Sequence, residues 1–374
     1  RTAGPLDVRS DFPITGGGRT FLNSAYIAPI PRPVVAAIRD FAEAKATRQL
    51  EVGELLRKTE EVRGQFARLI NATADEVGLL FSTAEGENVL ANGLDLKAGD
   101  NVVIDDLHYD TEFVLYRELE RTRGIELRVA RSRGGAAGVA EFEPLVDRRT
   151  RLVSVAWVSH RNGFRHDMRA LADLAHAHGA LIYADAIQAV GTLAVDVQAA
   201  DVDALCAASY KWMLAGWGVA PFYVRRSVID RIRLDRFGEM HVKTARPDGG
   251  FDLDPTARRF DYSSRAFGEA YALSAALTYL EQVGIDRIEA HTVGLGLKLQ
   301  SGLEAQGHRL ATPPGNRSPI VAVELARPVD EARAAFKAAK MDVTVRGGRV
   351  RLSPALFNSE DDVGRCLEVM KGLI

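Results

Sequence analysis

The chain has 374 residues, 47% of them hydrophobic and 26% charged, with a formal net charge of −2. That balance describes a folded globular protein large enough to bury a core without staples, and it excludes a disordered or fibrous chain. Arginines are interspersed with Asp and Glu, so there is no global basic field, and neither nucleic acid nor a membrane is expected as partner.

The opening stretch "RTAGPLDVRSDF" lacks the apolar core of an intact secretory signal. With Gly16–Gly18 it reads as an irregular arm over residues 1–20. "RPVVAAIRDFAEAKATRQ" predicts a helix entered at Pro33, and "LLRKTEEVRGQFARLI" a second, with Leu55, Val62, Phe66 and Leu69 near one face. An alternation follows: strand "EVGLLFS", a helix from about Gly86, strand "DNVVIDD", helix "EFVLYRELERT", strand "IELRVA". It continues through strand "LVSVAWVS", helix "MRALADLAHAHG", strand "ALIYADA", and two further strands in "VDALCAAS" and "APFYVRR". These strands are nearly continuous in apolar residues, which predicts burial on both faces of a mostly parallel sheet covered by helices. The polar stretch "RPDGGFDLDP" predicts a loop or boundary. Beyond it, two helical segments, short strands at "PIVAVEL" and "GRVRLSP", the helix "DEARAAFKAAK" and a last helix predict a smaller α+β unit. The expected division is an arm over 1–20, a large α/β domain over 21–250 and a small domain over 251–374.

Ligands of open α/β sheets gather outside the carboxyl ends of the strands. Four such ends carry polar residues: Ser82–Gly86, Ser159–Gly163, Asp185 with Gln188, and Ser209-Tyr210-Lys211. A lysine in an apolar site has its ammonium disfavoured, so its amine becomes nucleophilic and can form a Schiff base with an aldehyde. If that aldehyde is pyridoxal phosphate, the ring nitrogen needs an anionic partner, for which Asp185 is placed. Gln188 is placed for the phenolic oxygen, and the helix start at Ser82–Glu85 for the phosphate, with Ser209 and Tyr210 adding hydroxyls. The bland alternative is a structural Lys211–Asp185 ion pair.

The series "FLNSAYIAPIP", "STAEGENVLANGL", "VSHRNGFRHDM", "YADAIQAVG", "ASYKWMLAGWGVAPFYV", "RRFDYSS" and "VRLSPALFNSEDDV" resembles the class V aminotransferase family of pyridoxal-phosphate enzymes. Its flavour is that of isopenicillin N epimerase-like proteins, with cysteine desulfurases as more distant relatives. The resemblance runs from about Phe21 to the end, with D-x-x-Q followed by S/Y-K its most specific part. It implies a fold-type I homodimer with active sites at the subunit interface. By that resemblance Lys211 is the Schiff-base lysine, Asp185 the partner of the ring nitrogen, and Gln188 a neighbour of the phenolic oxygen. Thr83, Ala84 and Glu85 match the phosphate turn, with Ala84 standing where desulfurases usually have Thr. Tyr210 replaces the His that desulfurases place before the lysine. Ser264 matches a residue reaching the phosphate from the other subunit. Arg351 would clamp the substrate carboxylate, and Asn23 and Ala25 line the substrate side. The ring-stacking residue is His108 or Tyr109, with Tyr109 preferred. The partner of the phenolic oxygen is His160 or Asn162.

Desulfurases take sulfur with a thiolate on a mobile loop. Cys206 falls in a predicted buried strand and Cys366 on the last helix, neither placed for that work. The two cysteines form no disulfide or zinc spacing and suit a reducing compartment, so a cytoplasmic enzyme is expected. His176 and His178, two apart on a helix, do not make a metal pair, and none is expected. The absence of G-x-G-x-x-G in a strand–helix context argues against a nicotinamide dehydrogenase. The expected reaction begins with Cα-proton removal from a small-molecule, amino-acid-like substrate by Lys211 and ends in Cβ–S elimination. Transamination and epimerisation are the alternatives, and the retained Lys211 and Asp185 speak against a silent binding module.

Overall fold

The computed structural model describes residues 6–374; the start of the expected arm lies outside the described residues. From Leu6 the arm makes two 3-10 turns and then strand β1 (Thr20–Phe21). Gly17 and Gly18 turn the chain with φ of 64° and 72°, a conformation glycine adopts without strain.

Helices α1 (Arg32–Thr47) and α2 (Val52–Leu69) follow, then β2 (Val77–Leu80), α3 (Thr83–Gly93), β3 (Asn101–Asp105), α4 (Asp110–Arg123) and β4 (Glu126–Ala130). The chain continues through α5 (Val139–Phe142), β5 (Thr150–Ala156), α6 (Met168–Ala177), β6 (Leu181–Asp185), α7 (Val197–Ala200), β7 (Ala204–Cys206) and β8 (Ala220–Val224). Helix α3 begins at Thr83 rather than the expected Gly86. The reason is local: Ser82 Oγ accepts the Glu85 N–H at 3.2 Å and caps the helix there.

Seven strands form one sheet in the order β2-β8-β7-β6-β5-β3-β4. Strands β3 to β7 are mutually parallel, and β8 is antiparallel to both of its neighbours, β7 and β2. Strand β2 therefore points the same way as the parallel set, and the carboxyl ends of β2, β3, β5, β6 and β7 emerge on one edge. The chain runs outward from β3 to β4 and returns to β5, so the β3–β5 seam is a topological switch point of the kind that receives ligands. Alternate residues feed the two faces. Val103, Val153, Val155 and Ile182 join one core, and Val102, Ile104, Leu152 and Leu181 the other. Double-sided burial is why these strands read as unbroken apolar runs.

The polar stretch near Arg246–Pro255 holds the turn and second strand of a hairpin, β9 (Val242–Ala245) with β10 (Phe251–Leu253). Both strands are largely exposed, so no buried alternation could reveal them. The chain ends with α8 (Phe267–Val283), α9 (Ile285–Ala305), β11 (Val321–Glu324), α10 (Val329–Ala338), β12 (Met341–Asp342), β13 (Thr344–Arg346), β14 (Arg349–Leu352) and α11 (Glu360–Lys371). Strands β11, β14 and β13 make an antiparallel sheet over a separate core that includes Val321, Phe336, Val350 and Met370.

Packing crosses the expected 250/251 division in both directions. Helix α8 lies against α1 and α2, with Ala270, Leu273 and Leu277 in the large core. Leu22 belongs to the smaller core, and β1 pairs in parallel with β12. A wholly buried Arg63 pairs with Asp261 and donates to Val77 O at 2.8 Å. Asp261 also accepts from Leu79 N at 2.8 Å and Arg265 Nε at 2.7 Å, which fixes the segment carrying Ser264 against β2.

Candidate active site

The turn after β7 carries Lys211. Ser209 N donates to Val219 O at 3.1 Å and Ser209 Oγ to Gly216 O at 2.7 Å. Ala215 N returns to Ser209 O at 3.0 Å and Leu214 N to Lys211 O at 2.9 Å. Leu214 sits at φ 61°, a left-handed conformation costing about 1 kcal/mol that persists because these bonds over-determine it. Lys211 thereby projects from a rigid crest. It is only 9% exposed, and burial lowers its amine to about 8, with Asp185 pulling upward and Arg351 pushing further down.

A cavity of about 590 Å³, its mouth included, opens over the switch-point edge and is lined by Lys211. Asp185, the last residue of β6, forms its floor, with Oδ1 accepting from Ile187 N at 3.0 Å. Burial pushes this carboxyl up, against the opposing influence of His108, the Ile187 N–H and Lys211. Gln188 lines the same wall, its amide oriented by Trp212 Nε1 donating to Oε1 at 2.8 Å and by Nε2 donating to Ala25 O at 2.9 Å. The second Nε2 hydrogen stays available to the cavity. Trp212 is thus a packing residue that also orients the glutamine.

At the opposite end, Ser82, Thr83 and Ala84 line the cavity at the start of α3. The first N–H groups of a helix have no partner within it, and its dipole favours an anion there. Thr83 Oγ1 accepts from Ala208 N at 2.9 Å, which leaves its hydroxyl hydrogen to donate. Glu85 is arranged differently from the expectation. Its N–H goes to the Ser82 cap, and its carboxylate accepts from Phe81 N at 2.7 Å and pairs with Arg236 at 2.6 Å. Ser209 also stands apart, since its hydroxyl is fully buried on Gly216 O and holds the lysine turn. Tyr210 does line the cavity, with its ring stacked on Trp217 at 5.3 Å.

Tyr109, the N-cap of α4, lines the cavity, whereas His108 is buried behind it on Ser154. The "SHRNG" turn closes tightly, with Ser159 N to Phe164 O at 2.8 Å and Gly163 N to Ser159 O at 2.9 Å. Gly163 takes φ 77°, and a Cβ there would lie 2.1 Å from Ile320 O, so only glycine fits. This tight turn aims His160 into the cavity and Asn162 away from it. Asn162 Nδ2 donates to Gly135 O at 2.7 Å and Ala311 O at 3.1 Å, so this one of the two candidates for the phenolic oxygen is spent on loop contacts. His160 meets Tyr109 edge-on at 4.9 Å and has an unpartnered Nδ1. Burial, then Arg161, Arg351 and Lys211, hold its imidazole far below the usual range, so it is neutral.

Arg351 on β14 donates Nη1 to His160 O at 2.8 Å, which brings the guanidinium over the same turn, and its Nε is buried without a partner. Burial lowers it to about 10. Asn23 accepts from Thr344 Oγ1 at 2.7 Å and Ala25 N donates to Ser353 Oγ at 3.0 Å, so both tie the amino-terminal segment beside Arg351. Ser264 lies outside the cavity, exposed in a small depression with Phe81 and Gly218. One ionisable cavity residue escaped the sequence reading. Glu112, almost wholly buried, lines the wall beside Asp185. Its only sequence trace is the spacing Tyr109, Glu112, Tyr116, which puts three polar groups on one face of an otherwise amphipathic helix.

A buried lysine amine, a carboxyl floor and a helix start with free N–H groups, arranged around one cavity, fit pyridoxal phosphate. Lys211 would hold its aldehyde, Asp185 its ring nitrogen, Thr83 and Ala84 its phosphate, and Tyr109 the face of its ring. The fold and the site thus define a pyridoxal-phosphate-dependent enzyme of fold type I. The model of the class V aminotransferases matches residues 20–361. The chain is 31% identical over 305 residues to a probable cysteine desulfurase of Methanothermobacter thermautotrophicus, spanning 80% of this chain and 74% of that one. It is 28% identical over 370 residues to the uncharacterized aminotransferase YcbU of Bacillus subtilis, spanning 97% and 96%. Its fold matches the apo cysteine desulfurase of Thermococcus onnurineus with a TM-score of 0.90 at 23% identity, over 100% and 99% of the two chains. A complex of the cystine C–S lyase C-DES with cysteine persulfide matches with a TM-score of 0.89 at 15% identity, over 97% and 99%. The protein belongs to the class V aminotransferase family. No helix among the described residues is long and apolar enough to cross a membrane.

Proposed function

We propose that the enzyme is a Cβ–S lyase, which removes the Cα proton of a sulfur-bearing amino acid and expels the sulfur directly, without a protein persulfide. The observation that carries this reading is the placement of both thiols. Cys206 in β7 and Cys366 in α11 are fully buried. Burial holds the Cys206 thiol well above its ordinary range and pushes Cys366 up to about 12. Neither can meet a substrate as a thiolate.

Bound pyridoxal phosphate supplies the electron sink for the Cα carbanion. The chain supplies the rest. Arg351 binds the substrate carboxylate, Asp185 and Tyr109 position the ring, and the amine of Lys211, lowered to about 8, is poised as base near neutral pH. Once the substrate's own amine has displaced it from the aldehyde, its Nζ would take the Cα proton, the electron pair would form the Cα=Cβ bond, and the Cβ–S bond would break with its electrons on sulfur. Hydrolysis of the resulting aminoacrylate by water gives pyruvate and ammonia. Holoenzyme incubated with S-substituted cysteines should release pyruvate without an amino acceptor. Keto acid formed only with an acceptor, or inversion without pyruvate, would replace this reading with transamination or epimerisation.

We further propose that a second copy covers the cavity mouth. Tyr26 and Trp217 are each 59% exposed and Phe81 44% exposed, unusual for rings of this size, and Phe81 lies beside Ser264. Sedimentation should give a dimer, and a monomer that retains full cofactor affinity would reject Ser264 as a cross-subunit ligand.

A further inference from the structure

Tyr109 faces the cavity, yet little around its side chain holds it there. Its ring is 45% exposed and meets His160 edge-on at 4.9 Å. What is held firmly is the peptide from which it hangs. Tyr109 N donates to Nδ1 of the preceding His108 at 2.8 Å, and His108 O accepts from Arg161 Nε at 3.3 Å. Tyr109 is also the N-cap of α4, with φ −71° and ψ 149°, and this backbone limits where its side chain can point.

A buried chain of hydrogen bonds stands behind the His108 acceptor. His108, Ser154 on β5, Glu87 on α3 and Tyr116 on α4 are all fully buried. Each direction in the chain follows from the one before it. Because Tyr109 N–H must donate, His108 Nδ1 is bare, and the ring proton sits on Nε2 and goes to Ser154 Oγ at 2.9 Å. Ser154 then has one hydroxyl hydrogen to give, and Glu87 Oε1 accepts it. Tyr116 Oη donates to the same oxygen at 2.6 Å. The chain ends on a carboxyl oxygen that accepts twice. With its proton on Nδ1 instead, His108 would present a donor to Tyr109 N–H, and the peptide would lose its hold.

We propose that His108 positions Tyr109 against the ring of bound pyridoxal phosphate, and that Glu87, acting through Ser154, holds His108 in the one tautomer and orientation that allows it. The inference rests on Tyr109 covering the cofactor ring. His108, Ser154 and Glu87 touch neither cofactor nor substrate in this arrangement; they are positioning residues.

The test reads the visible circular dichroism of bound cofactor, which reports how the ring is held, together with cofactor affinity by absorbance titration. His108→Leu removes the acceptor; the signal should fall by more than half and affinity about ten-fold. His108→Asn offers a carbonyl oxygen close to the place of Nδ1 and should restore both to within about two-fold of wild type. Ser154→Ala keeps the acceptor but frees the imidazole, so its losses should lie between these two. A silent His108→Leu, or a His108→Asn no better than His108→Leu, would overturn the proposal, and a silent Ser154→Ala would remove Glu87 and Ser154 from it. Tyr109→Ala separates the proposal from its premise. If Tyr109→Ala leaves the signal intact, Tyr109 does not cover the ring and both fall; if it abolishes a signal that His108→Leu preserves, the relay alone falls. A second arm needs no variant of doubtful folding. In 15N spectra of histidine-labelled wild-type apoprotein, the imidazole whose resonances vanish in His108→Asn should be the neutral Nε2–H form. An Nδ1–H tautomer or an imidazolium there would refute the assignment.

Discussion

The buried amine of Lys211 has a thermodynamic consequence that can be measured without substrate. An ordinary lysine titrates at 10.5, and in the folded apoprotein this one is lowered to about 8, chiefly by burial. Below pH 8 the amine is charged in both the folded and the unfolded chain, and the folded state carries the whole penalty. Between pH 8 and 10.5 the unfolded chain binds a proton that the folded one lacks, so stability rises with pH; above that range the penalty is gone. At 1.36 kcal/mol per unit, the shift amounts to about 3 kcal/mol. Lys211→Met should therefore stabilise the apoprotein at pH 7 by up to about 3 kcal/mol, less whatever Asp185 loses with its ammonium neighbour. Urea unfolding of cofactor-free wild type and variant across pH 7 to 11 reads the difference directly. It should be largest near neutrality and shrink through pH 8 to 10.5. A variant no more stable than wild type at pH 7, or a difference independent of pH, would refute the view that this amine is held against its preference.

Three other perturbations probe the site. Arg351→Lys replaces a planar fork with a point charge at a position already committed to His160 O, so KM for an amino-acid substrate should rise about ten- to a hundred-fold with a smaller effect on kcat. Ser82→Ala removes the cap of α3 and should lose about 1 kcal/mol of stability, with weaker phosphate binding seen as a few-fold lower cofactor affinity by absorbance titration. Cys206→Ala and Cys366→Ala should each lower the unfolding midpoint while leaving pyruvate release within about two-fold of wild type; loss of turnover in either would restore a persulfide mechanism.

The alternating architecture was legible in the sequence, as were the polar residues at the strand ends that make up the candidate site. Apolar runs long enough for strands but not for bilayers, separated by amphipathic segments, require a sheet buried on both faces. Lys211, Asp185 and Gln188 were legible because a charged or polar group at the end of such a run is costly unless used. What tertiary structure alone decided concerns direction and company. The choice of His160 over Asn162 depends on a turn whose glycine must pass Ile320 O, a residue remote in sequence. Glu85 and Ser209 look identical in sequence to phosphate ligands, yet Arg236 and Gly216 O take their polar groups. The exposed hairpin from Val242 to Leu253 left no periodic trace, because neither face is buried. Glu112 is an ordinary helix residue until α4 packs it into the cavity that Asp185 also lines. Local sequence encodes which way a segment folds and what chemistry it carries. Which hydrogen-bonding group is spent, and which is left for a ligand, depends on contacts between segments far apart in the chain.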